Sequence, residues 1–214
     1  MTGFKTPSAN TKTGNMLQSW IIKQKEYPSE AIKLEKDGSV CGTCPLKGKV
    51  CYVTMMGPNN IWRSYKEGQY PTIDSKILGK IKRRHKLLRL GAYGDPCAVP
   101  LEVWQPLIAK SQDYTGYTHA WQYTDQKWNQ YIRASVESHT LKAKANNMGW
   151  KTFRITTDPN DILEDEVWCK NLEDEDTKCE DCRLCNAGKG KPNVVTLVHG
   201  AKWKVNNYKE LVSV

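Results

Sequence analysis

A chain of 214 residues can bury one substantial core, and nothing in its punctuation demands two. With 39% hydrophobic residues, a mean hydropathy of -0.66, no long apolar run and no charged-then-apolar leader at 1–19, neither a membrane span nor a secretory signal is expected. The net charge of +9 is uneven: between Asp158 and Asp181 eleven acids face only Lys170 and Lys178, giving -9 there and +18 over the remaining 190 residues. That surplus favours an anionic partner, a nucleotide or nucleic acid, although it also serves solubility.

In chain order, 1–13 is polar and aperiodic and reads as a flexible amino-terminal arm before a domain at 14–214. Residues 15–23 suit a buried strand, and Pro28 suits the first turn of a short helix. Gly57-Pro58-Asn59-Asn60 should break the chain and cap a helix over 61–67 that Gly68 ends. Ile73, Ile77, Leu78 and Ile81 predict a helix over 73–86 whose other face is basic, more a solvated face than a phosphate contact. Strands follow at 87–91, 117–121, 132–136, 151–156 and 193–199, with helices at 100–111 and 140–147 between them. Strands alternating with helices imply a parallel sheet. The expected fold is α/β: a single-domain partial (β/α)6-type barrel with a cysteine-rich metal-binding insertion, the acidic segment 158–190, near the carboxyl terminus. In such a fold the strand ends gather Asp95, His119, Glu137 and His199 on one face, as candidate catalytic residues.

Two cysteine sets carry the chemistry. Eight cysteines in a chain expected in the cytoplasm, a reducing compartment, point to metal rather than disulfides. Cys41, Cys44 and Cys51 follow the first buried strand in the spacing C-x2-C-x6-C, and Gly42, Gly48 and Pro45 let the loop turn around one centre. No fourth ligand is obvious nearby, so the centre keeps a coordination position for a cofactor or substrate. Zinc would need a fourth ligand, Cys97 or a histidine, whereas an iron-sulphur cluster tolerates three thiolates and an open iron. Cys169, Cys179, Cys182 and Cys185 form a complete set, spaced C-x9-C-x2-C-x2-C. Its overlapping steps resemble a ferredoxin-type run, with zinc as the alternative.

Around these motifs, Asp95 in Gly91-Ala-Tyr-Gly94-Asp95-Pro96 suits a ribose hydroxyl or an amine, or else braces its own turn. Arg154 suits a carboxylate or phosphate. A lone histidine such as His119 is more often packed than catalytic. The tryptophans read as core.

A first β/α loop with three cysteines, the last followed by Tyr52, resembles the cluster loop of the radical S-adenosylmethionine enzymes. The usual spacing there is C-x3-C-x2-C. A closer resemblance is to a cysteine-rich tailed-phage family of no established activity. It rests on Cys41-Gly-Thr-Cys44-Pro before Cys51-Tyr52, then Arg89-Leu-Gly-Ala-Tyr-Gly-Asp95-Pro96, Thr115-Gly-Tyr-Thr-His119-Ala-Trp121 and the late Cys-x2-Cys-x2-Cys, over most of the chain. These resemblances imply one or two 4Fe-4S clusters, S-adenosylmethionine at the open iron, an external reductant and the host cytoplasm of a bacteriophage. Tyr52, Gly94, Asp95 and Arg154 are the expected cofactor-binding residues. The other expectation is a non-enzymatic, basic protein with structural zinc sites that binds nucleic acid or an assembly partner.

Overall fold

The computed structural model describes residues 2–5, 11–48, 50–70, 87–188 and 190–212. The expected basic helix over 73–86 lies outside these.

An eight-stranded sheet organises the chain: β1 (Thr2–Lys5), β2 (Leu17–Ile21), β3 (Leu87–Tyr93), β4 (Asp113–Thr118), β5 (Arg133–Val136), β6 (Thr152–Thr156), β7 (Glu166–Trp168) and β8 (Asn193–Leu197). Their order across the sheet is β1-β2-β3-β4-β5-β6-β8-β7. Only β1 pairs antiparallel, on β2; the other seven strands are parallel. The sheet does not close, and β1 and β7 are its margins. The helices are α1 (Pro28–Lys33), α2 (Gly38–Cys41), α3 (Met56–Lys66), α4 (Leu101–Lys110), α5 (His139–Asn147), α6 (Lys170–Glu173), α7 (Cys179–Cys182) and α8 (Lys202–Val212).

Because β2 to β6 step across the sheet in sequence order, right-handed crossovers put the connecting helices on one face. The core lies there. Leu17, Leu88, Leu90, Ala134 and Val136 from the strands pack with Ile61 of α3, Trp104 and Leu107 of α4 and Ala145 of α5. Each fully buried leucine contributes about 2 kcal/mol. The opposite face differs in kind. Registered pairs place Gln18, Arg89 and Thr115 side by side, then Tyr117 beside Arg133 and Ser135 beside Phe153.

Several boundaries differ from expectation for local reasons. Thr2–Lys5, inside the arm expected to be flexible, form an edge strand, because β2 supplies the backbone partners that an edge strand needs and no hydrophobic period is required. Helix α3 opens at Met56, since Pro58 falls in its first turn, where a missing N–H costs nothing. Gly57 is needed there: a β-carbon would meet Trp20 at 2.9 Å. Strand β4 ends at Thr118 rather than Trp121, because the next amide, His119 N, turns to the Asp95 carboxylate. Strand β7 and helix α8 were not foreseen. No helix among the described residues is long and apolar enough to cross a membrane.

Candidate metal centre

The first cysteine loop leaves β2 through α1 and α2 and returns through α3. Helix α2 ends on Cys41, Gly42 follows at φ 55°, and Cys44 N donates to Cys41 O at 3.1 Å, so two thiols lie on one tight turn. The loop is tied to the end of β3, where Asp95 N donates to Val40 O at 2.8 Å. Gly94, at φ 82°, packs so closely that a β-carbon would meet Ile21 at 2.7 Å and Val40 at 2.9 Å. Its role is this close approach, and no cofactor contact is needed to explain it. From the far end of the chain, buried Lys204 of α8 donates Nζ to the carbonyls of Cys51 and Val53.

The ends of β4 and β5 bring two expected residues to this loop. Cys44 Sγ lies 3.2 Å from His119 Nδ1, and His119 Nε2 lies 2.7 Å from Glu137 Oε1. Burial pushes the imidazole pKa down, but the partners Cys44 and Glu137 outweigh it and lift it to about 10. Asp95 holds the group in place. Its Oδ1 accepts from Cys97 N at 2.9 Å, and its Oδ2 accepts from Thr118 Oγ1 and His119 N, each at 2.9 Å. With both oxygens engaged and only 9% exposed, Asp95 braces its own turn and the start of the His119 turn. Thiol, imidazole and carboxylate in line can share a proton, or leave Nδ1 free to act as a donor atom.

Burial raises the thiol pKa of Cys41, aided by Asp37, Cys44 and Cys51. Cys51 is raised as well, first by burial. The three thiols thus act on one another electrostatically. Asp37, which sequence reasoning missed, is 2% exposed beside them, with Lys47 Nζ 3.8 Å from its Oδ1 and no hydrogen bond to its Oδ2 among the described residues. Among the described residues no three His, Cys, Asp or Glu side chains stand at metal-ligating geometry.

Three other expected residues, His199, Tyr52 and Arg154, have partners of their own. His199 packs on Tyr52 with ring centroids 6.0 Å apart and makes a 3.0 Å hydrogen bond from Nδ1 to Leu197 O; the residue is exposed overall, and partial desolvation of its ring lowers its pKa. Tyr52 accepts a 2.6 Å hydrogen bond from Arg89 Nη2. Arg154, expected to hold a ligand anion, is instead consumed by protein carboxylates. It is 1% exposed and donates to both oxygens of Glu166 and to Asp161. Glu137 also lines a polar pocket of about 250 Å³ with Ser138, His139, Thr156, Asp161 and Tyr208.

Cys169, Cys179, Cys182 and Cys185 line one separate, small cavity. Cys97 belongs to neither set; burial pushes its thiol to about 12. Lys204 and Arg89 were also missed, though Arg89 carried a signal: a cation inside the apolar run 87–90 must either snorkel or find a partner. No family model, curated protein or solved structure was found to match this chain.

Proposed function

We infer that the chain is a radical-SAM-like iron-sulphur protein whose functional centre is the loop of Cys41, Cys44 and Cys51. The observation that carries this reading is placement. The three-cysteine loop follows the first parallel strand, and His119 and Glu137 reach it from the carboxyl ends of the fourth and fifth strands. A parallel sheet stepping from β2 to β6 and on to β8, with helices on one face, supports a partial (β/α)6 barrel as its finer description.

The donor set fits a thiophilic cationic group. Burial, with Cys44 close by, raises the thiol pKa of Cys41 and Cys51, a penalty that is relieved once they ligate a cation, and Lys204 fixes the carbonyls of the same loop. A 4Fe-4S cluster with an open iron, when bound, supplies one-electron reduction and a coordination position for the amino acid end of S-adenosylmethionine. The chain's own residues orient and enclose. Glu137 fixes the His119 ring, Asp95 fixes the turn that carries it, and the polar pocket beside Glu137 offers hydroxyl and carboxylate groups to a polar ligand. The basic surplus would receive a nucleotide or nucleic-acid substrate.

A second reading has its own observation. The 3.2 Å between Cys44 Sγ and His119 Nδ1 is close to the spacing of two ligands on one tetrahedral zinc, about 3.5 Å from typical bond lengths. Glu137 on the far nitrogen is then the outer-shell carboxylate that a metal-bound histidine usually has. The loop would be a closed Cys3His site in a non-enzymatic, nucleic-acid-binding protein.

Anaerobic purification with iron, zinc and acid-labile sulphide analysis separates the two. The first reading expects iron and sulphide that disappear in Cys44→Ala, and 5′-deoxyadenosine from S-adenosylmethionine after dithionite reduction. Zinc at the loop without sulphide would overturn it in favour of the second.

A further inference from the structure

The face of the sheet opposite the helices carries two buried cations. Arg133 of β5 is 0% exposed and donates to the carbonyls of Thr152, Leu184 and Pro192, with its Nε left without a partner among the described residues. Arg89 of β3 is 8% exposed, and its described side-chain hydrogen bond goes to a neutral phenol, Tyr52. Among the described residues no carboxylate stands within ion-pair distance of either guanidinium. Two uncompensated buried charges are costly, so an anion is to be sought near them. What lies there is the second cysteine set. Arg89 acts electrostatically on Cys179 and Cys185, and Arg133 on Cys185.

All four cysteines of the second set line one small cavity. A cavity of about 20 Å³ is lined by Cys169, Cys179, Cys182 and Cys185 together with Thr115 and Arg183. Four thiols lining one cavity make up the complete donor set of a structural zinc site. The backbone is shaped towards it. Helix α7 sets Cys179 and Cys182 three residues apart on one helical face, and Arg183 then takes the left-handed conformation, φ 53°, which turns Cys185 back.

We propose that Cys169, Cys179, Cys182 and Cys185 bind one zinc-class divalent cation as a tetrathiolate, and that this ion staples the β7–β8 side of the open sheet to the β2 side, across the face opposite the crossover helices. Binding one M²⁺ releases four thiol protons and leaves a centre of net charge -2, which the two guanidiniums of Arg89 and Arg133 balance. The stapling follows from where the cysteines are anchored. Cys169 N donates to Val195 O of β8, whereas Cys179 N donates to Lys12 O, just before β2, and Glu180 Oε2 accepts from Asn15 N at 2.9 Å. The segment therefore crosses from the β7–β8 side of the sheet to the β2 side. This inference does not rest on the reading of the first loop.

The test isolates the site in a variant lacking Cys41, Cys44 and Cys51 (each →Ala), purified anaerobically. One zinc per chain with no acid-labile sulphide is expected, and cobalt loading should give the absorption of a tetrahedral cobalt thiolate. Sulphide-bearing iron in that variant, or no bound metal, would overturn the proposal, whatever the intact first loop holds. In that background Cys182→Ser should lose the ion and lower the thermal midpoint, and Cys182→His should recover binding; retention of zinc by Cys182→Ser would count against the ligand set. Arg89→Met should weaken zinc retention against a chromogenic chelator by about 10–100-fold, with unchanged retention refuting the counter-charge role.

Discussion

The guanidinium of Arg154 sits against two acids, and one of them gives the molecule an acid limit. Asp161 accepts from Arg154 Nη1 at 2.6 Å, Thr156 Oγ1 at 2.7 Å and His139 Nε2 at 2.6 Å. Burial pushes its carboxyl pKa up, but these bonds outweigh burial and hold it at about 2, against an ordinary 3.8. A carboxylate with a depressed pKa stabilises the fold fully above its unfolded value and loses that contribution as pH falls through its folded value. Urea unfolding measured from pH 6 down to pH 2 should therefore show stability falling mainly below about pH 4. Asp161→Asn should flatten that part of the slope; a slope unchanged in the variant would mean that another carboxylate sets it. The sequence could not reveal this pairing. An arginine in a β-branched strand reads alike whether it faces a ligand or a buried acid, and the acids that claim Arg154 lie in a segment of eleven from which no spacing rule selects two.

Elements were legible where burial is periodic. Strands β3, β5, β6 and β8 and helices α4 and α5 fall close to their expected positions, because one face of each packs into the core that apolar spacing announces. Strands β1 and β7 were not legible, since an edge strand is held by backbone bonds to its neighbour and can be polar. Helix α8 was missed for another reason. It buries Lys204 and Tyr208, an i,i+4 pair in which a lysine occupies a core position because its charge is needed by two carbonyls of the cysteine loop. The three cysteines of the candidate site were thus readable from spacing, and the residues that fix them were not. Lys204→Met keeps most of the apolar stem and removes the charge. It should leave α8 folded, since Tyr208 OH still donates to Ile155 O at 3.1 Å, while amide exchange over 41–53 quickens by about tenfold, which is what losing roughly 1.4 kcal/mol of local stability implies. Equal protection in both proteins, read by exchange mass spectrometry, would show that the loop needs no such tether.

Across the whole molecule, charge and chemistry are sorted in space. The loop of Cys41, Cys44 and Cys51 lies at the carboxyl ends of the strands, beside His119 and Glu137, while Cys179 of the second set is anchored before the amino end of β2, at Lys12, and Cys169 on Val195 in the middle of β8. The acids between 158 and 181 are confined to one stretch of chain, around β7, α6 and α7, so the +18 of the remaining residues is not interleaved with them along the sequence. An anionic partner is therefore repelled from that stretch and drawn to the rest. If that partner is a nucleic acid, the logarithm of its affinity must fall linearly with the logarithm of salt concentration, by about 0.9 per phosphate neutralised on duplex DNA and about 0.7 on a single strand. Filter binding to duplex and single-stranded DNA and to RNA between 50 and about 200 mM salt gives the slope directly, and a protein making six such contacts would lose about three orders of magnitude of affinity over that range. Exposed Glu175, within the acidic stretch, supplies the internal control. Glu175→Lys should leave the slope unaltered if phosphates bind the basic remainder, because at 0.15 M salt the charge is screened beyond about 8 Å. A slope near zero for the wild type would remove nucleic acid from the candidates and leave a small nucleotide, whose few phosphates release few counterions.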